Sequence, residues 1–516
     1  MSMFESQPRN PLEPNPELSP RATDDQPARD DAAAGIPPAP GRLEEVGLSP
    51  TFLLELTLKV IRYAESPSAE HVARVLALPP KLVEALLESL KSDRLCEIVG
   101  GGSTYDLTTN YRFRLTERGE TRAEQALERC RYAGAAPVTI SQYQRIVGRQ
   151  SEDHWRPSAE SIELAFNRLV VDRTAATLLS KALRSGRCAM VFGPSGNGKT
   201  HLLAEFIRHL EGDVVVPHAL YAYGQIIRIF DHTVHVRRDP EPVGPPADPS
   251  DSKQRGGAKE DTYDKRWVRI QRPGLVVGGE LTSESLELGY DPVTKFYQAP
   301  KHLKAQGGVL LVDDFGRQKI SPIDLLNRWI MALERGTDNL LLRTGESIEV
   351  PFDIRLLFST NLDPADLADA AFLRRIPYKV QMPATGLDQF KQVLQQACED
   401  YTVNYSAADL DAVAAFIGES CDNPLSGALA RDLVAIIVDN CHLESLQPAL
   451  SVQATALAYL QFTGTEPRGF KAEDVPAPAA VAVVAANGHG GDDPANPPSE
   501  AAAWPSPSGA ADDWNN

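Results

Sequence analysis

Gly193, Gly198, Lys199 and Thr200 fall on the fixed positions of G-x-x-x-x-G-K-[ST] within VFGPSGNGKTHLL, residues 191–203. The chemistry such a spacing serves is phosphate binding. Glycines let backbone N–H groups converge on phosphate oxygens, a lysine reaches the outer phosphates, and a threonine hydroxyl can ligate magnesium. The candidate cradle is therefore Gly193, Pro194, Ser195, Gly196, Asn197, Gly198, Lys199 and Thr200. Hydrolysis needs more, and GGVLLVDDFGR, residues 307–317, supplies an apolar run ending in two acids. Asp313 is expected to serve the metal and Asp314 the attacking water. Asn361, at the end of the apolar run FDIRLLFSTN, adds an amide that could orient this water or touch the outermost phosphate.

These residues need strands that stop at one place. CAMVF, residues 188–192, reads as a short buried strand, and LLAEFIRHL behind the loop carries apolar residues at helical spacing. Strand, loop and helix in that order set the positive end of a helix against the phosphates. AESIELAFNRLV and TAATLLSKALRSG read as helices leading into the first strand. The fold class expected is α/β: a parallel sheet flanked by helices.

The chain of 516 residues is long enough for about three domains. A formal net charge of −18 argues against a broad electrostatic grip on nucleic acid or an anionic membrane. The six cysteines, Cys96, Cys130, Cys188, Cys398, Cys421 and Cys441, have neither C-x-x-C pairing nor matching histidines, so they read as reduced thiols rather than a metal site. With no apolar run of about twenty residues and no basic, apolar leader, the expectation is a soluble, cytoplasmic protein without membrane insertion. Residues 1–47 and 467–516 are rich in Pro, Ala and acids and are expected to be disordered tails; Trp504 and Trp514 stand alone in the second.

Residues 48–130 form a compact pattern of three helices, two strand-like runs (LCEIVGG and YDLTTNYRFRLT) and a closing helix, which resembles a winged helix. DNA recognition by its third helix is the functional reading, and Arg112, Arg114, Arg118 and Arg122 could serve it. Glu84 and Glu88 beside Lys81 and Lys91 make that helix a poor face for phosphates, so docking or packing against protein is favoured over DNA. Residues 131–157 read as a linker, and the polar stretch between Phe230 and Arg266 as a surface loop.

The order of phosphate loop, two-acid strand, strand ending in Asn, AFLRRIPYKV and SGALARDLV resembles that of AAA+ ATPases across residues 158–466, with a P-loop core over 158–383 and a small helical lid over 384–466. The resemblance implies ATP and Mg²⁺ as cofactors and a homo-oligomer, a hexameric ring in most relatives. It further implies an arginine reaching the neighbouring subunit's nucleotide, for which Arg374 and Arg375 both fit, and Arg431 contacting the nucleotide from its own lid. Asp314 departs from the family's usual Glu. TDNLLLRTGESIEVPFDIRLLFSTN adds a strand pair around Arg343 to Glu346, similar to the branch with a hairpin before the Asn strand: MoxR-type chaperones, magnesium chelatase subunits and enhancer-binding activators. An insert before the two-acid strand, LVVGGELTSESLELGYDPVTKFYQAP, is also similar, and Tyr290, Phe296 and Tyr297 there are candidates either for a pore lining or for core packing. The combination with an N-terminal winged-helix-like domain resembles bacterial ATPases with chaperone activity linked to pilus assembly. The function implied is ATP-driven remodelling of a partner protein. Two alternatives stand beside it: a DNA-directed regulator with ATP-controlled assembly, and an ATP-binding scaffold with little turnover. No N-K-x-D base-reading motif occurs, which disfavours GTP.

Overall fold

The computed structural model describes residues 35–99, 111–152, 155–167, 169–238, 263–367, 373–421, 424–443 and 445–470. The expectations for residues 1–34, for 471–516 with Trp504 and Trp514, and for most of the polar stretch after Phe230 lie outside these.

Five strands make the central sheet: β1 (Ala189–Phe192), β2 (Gly274–Val277), β3 (Val309–Val312), β4 (Arg355–Thr360) and β5 (Tyr378–Gln381). All neighbours are parallel, in the order β5-β1-β4-β3-β2. Alternation of side chains explains why both faces are covered. Val191, Leu311 and Leu357 pack with Leu179, Leu183, Leu203 and Phe206 on one face, whereas Met190, Leu310, Val312 and Phe358 pack with Phe315, Leu325 and Trp329 on the other. Burying one such side chain is worth about 1.5–3 kcal/mol, so the sheet centre is the most expensive place to disturb. Because the strands are parallel, Phe192, Val312 and Thr360 all end at the same edge, and the residues after them meet there.

A second layer escaped the sequence reading. Val138–Thr139, Ala219–Ala222, Gln225–Arg228, Phe296–Gln298 and Gly289–Asp291 form a five-stranded mixed sheet, and Asp213–Pro217 pairs antiparallel with Trp267–Gln271. Phe296 and Tyr297 are buried here, so both are core residues rather than pore residues. Tyr290 packs on Tyr297, with the Arg343 guanidinium 4.7 Å from its ring centre. The expected hairpin is present as Thr337–Leu341 paired with Ser347–Pro351.

The N-terminal module consists of helices Pro50–Ala64, Ala69–Leu76 and Pro80–Ser92, the antiparallel pair Cys96–Ile98 with Phe113–Leu115, and helix Glu117–Arg129. Ser49, Ser68 and Thr116 cap three of these helices by accepting from the N–H of Phe52, His71 and Gly119. The module docks on the second sheet: Phe52 lies 4.6 Å from Tyr221 and Tyr132 lies 5.6 Å from Phe296, centre to centre.

Two boundaries move. Residues 131–157 are not a plain linker, because helix Ile140–Glu152 buries Tyr143, Ile146 and Val147, an i, i+3, i+4 stripe. The described end of the expected first tail also packs: Leu43–Val46 is a helical turn, Val46 is buried, and its carbonyl accepts from Arg266 at 2.8 Å. Arg266 is itself buried in a bidentate pair with Asp264, closest approach 2.8 Å. Helices Leu387–Asp400, Ala407–Ser420, Gly427–Leu443 and Val452–Thr463 close the chain as a small bundle around Phe390, Leu394, Ile417, Leu433 and Val434. Among the described residues no helix is long and apolar enough to cross a membrane, and the six cysteines are unbridged.

Candidate nucleotide site

The loop after β1 has a shape that only its glycines allow. Gly193 sits at φ 143°, and a Cβ on it would lie 2.2 Å from the Met382 carbonyl oxygen. Gly196, at φ 78°, would meet the Ser426 hydroxyl of the bundle at 2.8 Å. The Gly196 carbonyl accepts from Ala428 N–H at 3.0 Å, so the first turn of helix Gly427–Leu443 rests directly on the loop. Asn197 ties the loop to the residues after β5, donating to the Pro383 carbonyl at 2.7 Å and accepting from Thr385 Oγ1 at 3.1 Å.

Helix Lys199–Arg208 starts at Gly198, which takes the left-handed conformation. Lys199 is buried, and its Nζ donates back to the carbonyls of Gly193 at 3.0 Å and Pro194 at 2.8 Å. Burial lowers its pKa, and the charges of Asp314 and Asp313 oppose that. One residue on, Thr200 Oγ1 donates to Asp313 Oδ1 at 2.7 Å. A hydroxyl and a carboxylate at one point form an all-oxygen donor set, which suits a hard divalent cation such as Mg²⁺.

The turn after β3 is held from two directions. Asp314 has φ 48°, a left-handed conformation that costs a non-glycine residue free energy and needs outside support. Gln318, given no role in the sequence reading, provides it: its Nε2 donates to the carbonyls of Asp313 (2.7 Å) and Asp314 (3.1 Å), and its Oε1 accepts from Gly316 N–H at 2.8 Å. Thr360, also missed, donates from Oγ1 to the Phe315 carbonyl at 2.7 Å and so locks this turn to the end of β4.

Lys199, Thr200, Asp314, Asn361 and Arg431 line one cavity of about 400 Å³. Its apolar part comes from Leu169, Val171, Met382 and Val393, which could cover a planar base. Arg431 Nη1 is 3.2 Å from Asp400 Oδ2 within the helical bundle. Arg374 and Arg375 are not among the lining residues. Arg374 is exposed, and Arg375 Nε donates to Glu334 Oε1 at 2.8 Å.

The five-stranded parallel sheet, with the glycine loop and helix Lys199–Arg208 after β1 and a small helical bundle beside it, is an α/β fold with a phosphate-loop motif. One family description matches, over residues 386–459 of the bundle: a domain of unknown function (DUF8689). No curated protein matches. Among solved structures, a Thermotoga maritima RuvB variant is similar at 13% identity and TM-score 0.33, over 60% of this chain and 74% of that one. Brucella abortus NtrX is similar at 15% identity and TM-score 0.31, over 63% of this chain and 58% of that one. The FIGL-1 AAA domain is similar at 12% identity and TM-score 0.28, over 53% of this chain and 70% of that one. Overlaps this loose carry no argument, and the fold assignment rests on the strand order and the loop geometry.

Proposed function

We propose that this protein is a magnesium-dependent ATPase of the AAA+ group that works as a homo-oligomer, a hexameric ring by resemblance, to remodel a partner protein in the cytoplasm. The observation that carries the reading is the meeting of Thr200 Oγ1 with Asp313 Oδ1 beside Lys199, at a cavity also lined by Asp314, Asn361 and Arg431. Lys199 exchanges the carbonyls of Gly193 and Pro194 for phosphate oxygens. Thr200 and Asp313 would hold the magnesium, which neutralises charge on the outer phosphates. Asp314 orients and deprotonates the attacking water, Asn361 fixes its position, and Arg431 exchanges Asp400 for phosphate charge. Arg374 or Arg375 completes a neighbouring subunit's site.

The hairpin Thr337–Pro351 supports placement in the branch that includes MoxR-type and magnesium-chelatase-like ATPases, and the closer likeness to ATPases linked to pilus assembly belongs to the same proposal. For the N-terminal module, protein rather than DNA is the favoured partner of this winged-helix-like unit. Two of the arginines a DNA backbone would need are already paired with acids, Arg114 with Glu97 at 2.7 Å and Arg122 with Glu55 at 3.1 Å. Phosphate release by the purified chain tests the central claim. ATP binding without release would leave the scaffold reading standing, and a shift of DNA mobility that weakens with salt would favour the DNA-directed one.

A further inference from the structure

At the other end of the central strands lies a second cavity, of about 370 Å³. Its walls come from residues that open the strands: Gly186 and Arg187 ahead of β1, Arg272 ahead of β2, Gly308 ahead of β3, and Arg355 at the start of β4. Trp155 and Arg156 also line it. Four arginines therefore border one space in a chain whose formal charge is −18.

Two of these arginines are fixed in advance. The guanidinium carbons of Arg272 and Arg355 lie 4.2 and 4.1 Å from the Trp155 ring centre, a stacking that sets their orientation. Arg272 is held further by backbone carbonyls, Nε donating to Glu211 at 3.0 Å and Nη1 to Gly307. Arg355 Nη1 is shut off from solvent and has no hydrogen-bond acceptor among the described residues. Burial pushes both side chains down to about 10, and for Arg355 the nearby charges of Arg272 and Arg156 add to the effect. Clustering like charges costs free energy, which an anion in the cavity would recover.

Two acids border the cavity, Asp213 and Asp353, and each already has a partner. Asp213 Oδ1 is 3.6 Å from Arg238 Nε, and Asp353 Oδ2 accepts from Ser151 Oγ at 2.7 Å. Four arginines against two aspartates leave the cavity wall net positive, which suits an anion such as phosphate. Guanidinium forks also match phosphate geometry better than they match a spherical ion. We propose that this cavity is a second anion site, separate from the nucleotide loop, that binds a phosphate group through the exposed guanidinium groups of Arg187 and Arg156, with the charge of the Arg355 guanidinium behind them.

The probes are inorganic phosphate and ribose 5-phosphate, titrated by calorimetry into the Lys199→Ala chain so that the nucleotide loop lacks its lysine. Saturable binding is expected, weakened at least about tenfold by the exposed double change Arg156→Gln/Arg187→Gln and abolished by Arg355→Gln. Arg355→Gln also removes a stacked side chain, so its result is read only where its melting curve matches that of the parent; the exposed pair needs no such condition. Binding of the sugar phosphate through these arginines identifies a phosphomonoester site, and binding of phosphate alone identifies a free-ion site. Lack of saturable binding by either probe, equal displacement by chloride, or an affinity unchanged in the exposed double variant overturns the proposal.

Discussion

Thr200 and Asp313 are 113 residues apart in sequence, yet the hydroxyl of one donates to the carboxylate of the other at 2.7 Å. The contact exists because β1 and β3 both pair in parallel with β4 and so end at the same edge of the sheet. In the proposed enzyme, Thr200 and Asp313 would together hold the magnesium, which would supply charge neutralisation at the outer phosphates. Asp313→Asn keeps the hydrogen-bonding shape and removes the charge, so it is expected to lower turnover about a hundredfold and to raise the magnesium concentration needed for half-maximal rate. A phosphate-release titration against magnesium checks both; an unchanged magnesium requirement would remove Asp313 from the metal site.

Lys199 and Asp314 separate binding from chemistry. Lys199→Ala is expected to abolish ATP binding, because a buried ammonium is the charge nearest the outer phosphates. Asp314→Asn is expected to bind ATP normally and trap it, since only water activation needs the acid. Filter binding and single-turnover hydrolysis distinguish the two, and wild-type hydrolysis by Asp314→Asn would show that another group prepares the water.

Gln318 acts on the same step from behind. Its side chain holds the carbonyls of Asp313 and Asp314 and the N–H of Gly316, and so supports the left-handed Asp314 backbone. Gln318→Ala is expected to lower kcat about tenfold with ATP affinity nearly unchanged, the pattern of a loosened catalytic geometry. A matching rise in KM would point to a binding role instead.

How legible each of these features was depended on distance along the chain. The phosphate loop and the acids after β3 declare themselves because their chemistry is written in adjacent residues. Asn361 and the hairpin follow from short apolar runs with clear ends. The second sheet is assembled from strands of two to four residues drawn from 138–139, 219–228 and 289–298, none with a periodic signal of its own. Arg266 shows the same limit: its partner Asp264 is two residues away, but the carbonyl of Val46 that it also holds is 220 residues distant. The arginines around Trp155 look like unrelated strand-opening residues until the sheet aligns their starts.

The Arg266 hub makes a stability prediction. Asp264→Ala leaves a guanidinium buried without its carboxylate, a change that costs about 3–5 kcal/mol in comparable buried pairs. Asp264→Ala/Arg266→Met is expected to recover most of that loss, because no charge is then left stranded. Thermal melts of the three chains decide the matter. Equal stability of Asp264→Ala and wild type would mean that the pair is solvated.

Arg374 and Arg375 test the shared site. They follow Leu367 and the end of β4 in the chain, and neither lines the cavity of its own chain. Arg375 is held by Glu334 in a half-exposed pair worth about 0–1 kcal/mol. A trans-acting arginine would instead stabilise transition-state charge, with worked cases of on the order of 10³ to 10⁵ in rate. The two magnitudes do not overlap. Arg374→Ala/Arg375→Ala is expected to lower turnover at least about a hundredfold with ATP affinity intact, and Glu334→Ala to change it little. Lys199→Ala chains bind no ATP but keep their arginines, so mixing them with the double variant should partly restore hydrolysis at sites shared between the two chains. Because rescue requires one site built from two subunits, its absence in verified mixed oligomers would reduce both arginines to surface residues of the core.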